Sequence, residues 1–125
     1  MMPNIGDVVS VHTDQSFDEK YKYIILVGIH SENANEYLGV FINKRKHNLN
    51  HVDFEKNGDR KFLEYDSFVD CGDPKRFGKD EIVDSILKNE DNFRGTTCKP
   101  DIEMLRKSIV ECTSVKRVLK KYFLR

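Results

Sequence analysis

The sequence predicts an α+β fold, a small antiparallel barrel with helices packed against its surface or ends. Three observations carry this reading. The run Tyr23-Ile24-Ile25-Leu26-Val27-Gly28-Ile29 is rich in β-branched residues and free of charge, as a strand buried on both faces requires. Shorter apolar runs flank it, Val8-Val9-Ser10-Val11 before and Tyr37-Leu38-Gly39-Val40-Phe41-Ile42 after. Past Asp80 the apolar residues recur at helical spacing, so strands come first and helices last.

Taken in order, Asn4 to Asp7 reads as a turn in which Gly6 is free to take a positive φ. The first strand runs from Val8 to Thr13, and the polar stretch from Asp14 to Lys20 joins it to a central strand from about Tyr21 to Ile29. Residues 31–35 form a turn by composition, and Tyr37 to Ile42 is the third strand. Asn43 to His51 has one aliphatic residue and reads as an exposed loop. Phe54 begins a strand that turns at Asn57-Gly58 and returns through Lys61-Phe62-Leu63, the strongest hairpin signal in the chain. The alternation in Asp66 to Cys71 suits a half-buried last strand, stopped by Gly72-Asp73-Pro74.

The helices follow. Ile82, Val83, Ile86 and Leu87 share one helical face, with acids at the start and Lys88 at the end as the helix dipole favours. Residues 95–99 read as a linker, and Pro100 suits a first helical position. Ile102, Leu105, Ile109 and Cys112 recur at helical spacing, and Val115, Val118, Leu119, Tyr122 and Phe123 continue the stripe behind a Thr113-Ser114 cap. The strands thus occupy about 7–71 and the helices about 79–89 and 100–123 of one domain, 1–125.

Composition narrows the class. Twenty-one basic residues balance twenty-one acidic ones, so any nucleic-acid or membrane contact must use a local patch. Three cysteines without CxxC spacing argue against a disulfide framework and for a reducing compartment. The opening residues have no basic or apolar signal region, and no run reaches the roughly 18 apolar residues of a membrane helix. A soluble, cytoplasmic protein with no membrane contact is expected.

Four features bear on chemistry. Lys44, Arg45 and Lys46, with His47 and His51, make either a phosphate-binding surface near Tyr21, Tyr23 or Tyr37, or a solvated loop. His47-x-x-x-His51 has a spacing seen in zinc sites, but no CxxC or carboxylate pair completes a tetrahedron, so no metal is expected. His12, Asp14, Glu19, Lys20 and Lys22 gather an acid, a base and a cation about one connection, which acid–base work on a phosphodiester needs and an ordinary polar loop also contains. The C-terminal segment from Lys116 to Arg125 holds five basic residues and no acid, the solvated face of a core helix or a surface for nucleic acid or an acidic partner. Cys112 falls on an apolar stripe, where a buried core thiol is the ordinary explanation.

The order of motifs resembles the PemK/MazF family of toxin endoribonucleases. Gly6-Asp7-Val8-Val9 is similar to its Gly-Asp-Ile/Val-Val strand, and Lys22-Tyr23 with the apolar residues that follow falls where the family has an Arg-Pro-apolar strand. Gly39-Val40-Phe41-Ile42-Asn43-Lys44 stands at its apolar strand ending in Thr-Ser, Asp66 to Asp70 at its late strand, and Gly95 at its lead into a terminal helix. The resemblance implies an SH3-like barrel, a homodimer, an antitoxin partner and metal-independent, cofactor-free cleavage of single-stranded RNA by attack of the 2′-hydroxyl. In that mechanism Lys22 stabilises the phosphorane, His12, Asp14 or Glu19 shuttles protons, and Asn43 and Lys44 position the phosphate. The chain departs from the pattern at Lys22, Tyr23, Asn43, Lys44 and Val69. Lysine keeps the charge of the family's arginine but not its bidentate fork. The alternative is a non-catalytic barrel that binds a protein or nucleic acid through Lys44-Arg45-Lys46 and the last helix.

Overall fold

The computed structural model describes residues 2–12, 21–30, 35–46 and 50–123. The strands are β1 (Asp7–His12), β2 (Tyr21–Ile29), β3 (Glu36–Asn43), β4 (His51–Phe54), β5 (Ser67–Asp70), β6 (Lys75–Gly78) and β7 (Phe93–Thr96). The helices are α1 (Lys79–Lys88), α2 (Lys99–Glu111) and the short α3 (Arg117–Lys120), with one turn of 3₁₀ helix at Glu90–Asn92. Among the described residues the seven strands form one sheet in the order β4-β5-β3-β2-β1-β7, with β6 also on β3. Every pairing is antiparallel. The α+β class expected from the sequence therefore holds.

β3 is the hub. One side pairs with β2, and the other is shared by β6 at Glu36–Gly39 and β5 at Ile42–Asn43. Alternation sends β2's Ile24 and Leu26 to the face where Val9, Val11, Phe41 and Phe77 meet Ile82 and Ile86 of α1. Ile25 and Val27 go to the opposite face, with Leu38, Val40, Leu105 and Ile109 of α2. Both faces of the central strand are covered, which is why its sequence lacks polar alternation. Truncating fully buried Leu105 or Ile109 to alanine is worth about 2–5 kcal/mol.

The β2–β3 register shifts between Leu26 and Gly28. The Val27 carbonyl inside this bulge accepts from Arg106 Nη1 at 2.7 Å, while Nη2 donates to the Tyr122 carbonyl at 3.1 Å. One arginine thus satisfies a bulged carbonyl and holds the C-terminal segment down on the sheet.

Among the described residues no pair joins β4 to β7, so the hydrogen-bonded sheet is open. The seam between them is filled by side chains of the β4–β5 connection. The Phe62 ring lies 6.2 Å from that of Phe54 on β4. On the β7 side, a Cβ at Gly95 would come within 3.4 Å of Phe62, and Gly95 holds φ at +146°. Arg60 fastens this connection to α2 by a two-pronged bond to Asp101 (2.8 and 2.9 Å) and sits 4.0 Å from the centre of the Phe54 ring.

Several sequence expectations change. Gly6 takes φ +100° as expected, and its N–H and carbonyl bond Leu26 and Thr97. The hairpin at Asn57-Gly58 does not form. A type I′ turn needs positive φ at its centre, and Gly58 has none. Asn57 instead accepts the Asp59 N–H on its side chain, and β4 pairs with β5 rather than with Lys61–Leu63. β5 ends before Gly72-Asp73-Pro74 as expected, but β6 follows that stop unread and β7 takes the first residues of what read as a linker, since each is only four residues long and carries little pattern. Leu87 and Val118, assigned to apolar faces, are 69% and 65% exposed. No helix among the described residues is long and apolar enough to cross a membrane.

Candidate nucleic-acid interface

At one end of the β2–β3 pair, Tyr23 stands opposite Ile42, which puts Lys22 and Asn43 at the next position along. Lys22 shares the face of Ile24, two residues on, and is pulled in by it. The lysine is 6% exposed and Asn43 8%. Lys22 Nζ donates to Asn43 Oδ1 at 2.5 Å and lies 5.5 Å from the centre of the Phe41 ring. Asn43 Nδ2 meets His51 Nε2 at 3.0 Å, and that nitrogen is 3.9 Å from Asp70 Oδ2. A polar line therefore crosses the sheet from β2 through β3 to β4 and β5.

This line fixes its own protons. The ammonium only donates, so Asn43 must turn its oxygen to Lys22 and its NH₂ to His51. His51 Nε2 is then the acceptor, and the ring carries its hydrogen on Nδ1. Among the described residues Lys22 forms no ion pair. A buried ammonium without a counter-carboxylate is costly to the fold, and an amide oxygen and an aromatic face offset only part of that cost.

Lys22 opens into a cleft of about 200 Å³. Its walls come from Tyr21 and Tyr23 on β2, Asn43 and Lys44 at the end of β3, and Leu63, Glu64, Tyr65 and Ser67 across the seam. Tyr21 and Tyr65 are 53% and 43% exposed. Lys44 Nζ lies 5.3 Å from the centre of the Tyr65 ring, and the Arg94 guanidinium 4.8 Å from that of Tyr23. Arg94 Nη2 also approaches Glu64 at 3.8 Å. Glu64 is the one carboxylate lining the cleft among the described residues.

The structure brings Lys22, Asn43 and Lys44 into this cleft. Arg45 and Lys46 follow as exposed residues and do not line it. His12 is exposed and stands edge-on to Tyr21 at 5.0 Å. It borders a neighbouring hollow with Glu81, Asp84 and Lys88, so Tyr21 is the wall between the two. Asp14, Glu19 and His47 lie outside the described residues. Sequence reasoning missed Glu64, Tyr65, Ser67 and Asp70, and placed His51 with the basic loop and by its spacing from His47 rather than behind Asn43. Nothing local marks Glu64, Tyr65, Ser67 and Asp70, since β5 and the seam bring them to Lys22 from over 40 positions away.

Among the described residues no group of three histidine, cysteine or carboxylate side chains is placed to hold a metal ion. Burial, with Asp70 and Cys112 nearby, pushes the Cys71 thiol up to about 12, which removes it as a nucleophile. Cys112 is half-buried rather than a core thiol, with its Sγ 3.1 Å from Ser114 Oγ. Compared with models of protein families and with curated proteins, the sequence matches none.

Proposed function

We propose that the Lys22 cleft binds the backbone of single-stranded RNA, and that the protein acts as a toxin-like endoribonuclease of the PemK/MazF kind. The observation that carries this reading is a buried ammonium without a counter-carboxylate among the described residues, at the floor of a cleft edged by exposed tyrosines. A phosphate oxygen supplies the missing negative charge, and its gain is large because the site is already desolvated. Tyr21 and Tyr65 offer faces for neighbouring bases, and Lys44 adds a second cation at the rim. An open sheet whose seam is packed by Phe62 is compatible with the SH3-like barrel that the resemblance implies.

Cleavage by this arrangement needs no metal. The 2′-hydroxyl gives up its proton and attacks phosphorus, the bond to the 5′-oxygen breaks, and that oxygen takes a proton from water. Lys22 stabilises the negative charge on the phosphorane. Asn43 holds the ammonium in place. Glu64, oriented by Arg94, is the carboxylate within the cleft that accepts the 2′-proton. His12 serves the neighbouring hollow across Tyr21, and Asp14 and Glu19 belong by sequence to the β1–β2 connection.

The test is incubation of a labelled RNA oligonucleotide with the protein in chelator, beside the same sequence with 2′-deoxy sugars. Cleavage of the RNA alone, leaving a cyclic phosphate and a 5′-hydroxyl, supports the reading. Binding without cleavage favours the non-catalytic alternative, and failure of both removes the cleft as an RNA site. Gel filtration, and capture of an acidic partner, address the dimer and the antitoxin that the resemblance implies.

A further inference from the structure

The polar line behind Lys22 continues to a residue that touches neither the cleft nor any ligand in it. His51 is 4% exposed and is absent from the cleft lining. It meets the site through Asn43, by the 3.0 Å contact from Nδ2 to Nε2. That contact exists only while Nε2 carries no hydrogen.

We propose that His51 is a positioning residue whose neutral, Nδ1-protonated ring holds the Asn43 amide toward Lys22 and makes the cleft's affinity for phosphate depend on pH. This rests on the reading of the cleft as a phosphate site. When Nε2 takes a proton, two donors face each other and the Asn43–His51 bond is lost. A second partner is already in place. Asp70 Oδ2 stands 3.9 Å from the same nitrogen and attracts the imidazolium, so protonation draws Nε2 from Asn43 toward Asp70. Among the charged groups that face it from the surrounding strands are Asp70 on β5 and, through Asn43, Lys22 on β2.

Freed from His51, the amide still accepts from the ammonium but is no longer held in place at its NH₂ end. Lys22 loses a fixed anchor, and with it the geometry that aims its remaining N–H groups into the cleft. Histidine is the side chain whose unperturbed charge change lies nearest neutral pH, so a pH series is the natural probe of this contact. The sign separates this device from simple electrostatics. Added positive charge alone would tighten RNA binding as pH falls, whereas release of Asn43 loosens it.

The experiment measures anisotropy of a fluorescent single-stranded RNA against pH, with wild type, His51→Gln and His51→Leu. Wild-type affinity is expected to fall about tenfold from pH 8 to pH 5.5. Glutamine can accept from Asn43 but cannot be protonated, so His51→Gln keeps the high-pH affinity and flattens the profile. His51→Leu is about tenfold weaker throughout. Binding that tightens as pH falls, or a His51→Gln profile that follows wild type, overturns the role of His51 and leaves the RNA site standing. Absence of RNA binding at every pH overturns the cleft reading instead. Nitrogen NMR of the free protein gives an independent check, since a neutral His51 protonated on Nε2 contradicts the arrangement whatever the RNA does.

Discussion

Lys22 Nζ and Asn43 Oδ1, from neighbouring strands, meet at 2.5 Å inside the sheet, and the amide's other end is held by His51. A cation so placed does little for stability. Burying an ammonium costs several kcal/mol, and a neutral amide returns only part of it. Lys22→Met, similar in length and without charge, removes that cost but leaves Asn43 Oδ1 without its donor, so it is expected to fold within about 2 kcal/mol of wild type. Urea denaturation checks this. A loss of several kcal/mol would mean that Lys22 serves the fold rather than a ligand.

Glu64 and Arg94 stand 3.8 Å apart at the edge of the same cleft. If Glu64 takes the 2′-proton, Glu64→Gln removes cleavage by about 100-fold or more while RNA binding is unchanged or tighter, since a carboxylate near a phosphate repels it. Single-turnover cleavage and anisotropy on one RNA separate the two effects. Weaker binding with unchanged cleavage would assign Glu64 a structural part in the wall.

The staple between Arg60 and Asp101 sets a pH dependence of folding. The hydrogen bond from Arg60 holds the Asp101 carboxyl below its ordinary range, against the opposing effect of burial. A depressed carboxyl contributes stability that is present above its unfolded value, about 3.9, and is lost as pH falls through the folded value. Asp101→Asn is expected to cost about 2 kcal/mol at neutral pH and much less in acid, where wild type has lost the same bond. Urea midpoints at neutral pH and near pH 3 check this. A constant difference would contradict the linkage.

Cys71 is 1% exposed with its thiol near 12, while Cys98 and Cys112 are half-buried. Under native conditions at pH 8, alkylation followed by peptide mass spectrometry is expected to label Cys98 and Cys112 first. Cys71 reacts only after unfolding. Early labelling of Cys71 would mean that the end of β5 opens readily.

The core was legible because both faces of β2 are covered. The unbroken run of Ile24 to Val27 states that directly, and the spacing of Ile82 with Ile86 and of Leu105 with Ile109 states what covers them. β6 and β7 were not legible. Four residues such as Lys75-Arg76-Phe77-Gly78 carry too little pattern, and only β3 beside them makes a strand. The Asn57-Gly58 signal misled because the chain satisfies it with a side-chain turn, while β4 finds β5 beyond the loop.

For the site, Lys22, Asn43 and Lys44 stand out through the family resemblance, and Lys22 and Lys44 also through the charged clusters they belong to, and the register brings them together. The opposite wall and the His51 contact depend on how the seam is packed. No local periodicity encodes that, since Phe62 must first settle between Phe54 and Gly95.

The role proposed for Lys22 is to meet a phosphate from its buried position. Anisotropy of a fluorescent single-stranded RNA with wild type and Lys22→Met, both shown folded by circular dichroism, tests that role. Wild-type binding is expected to weaken with salt, and the variant to lose about tenfold or more in affinity with a shallower salt slope. Equal affinity and equal salt dependence in the two proteins would contradict it.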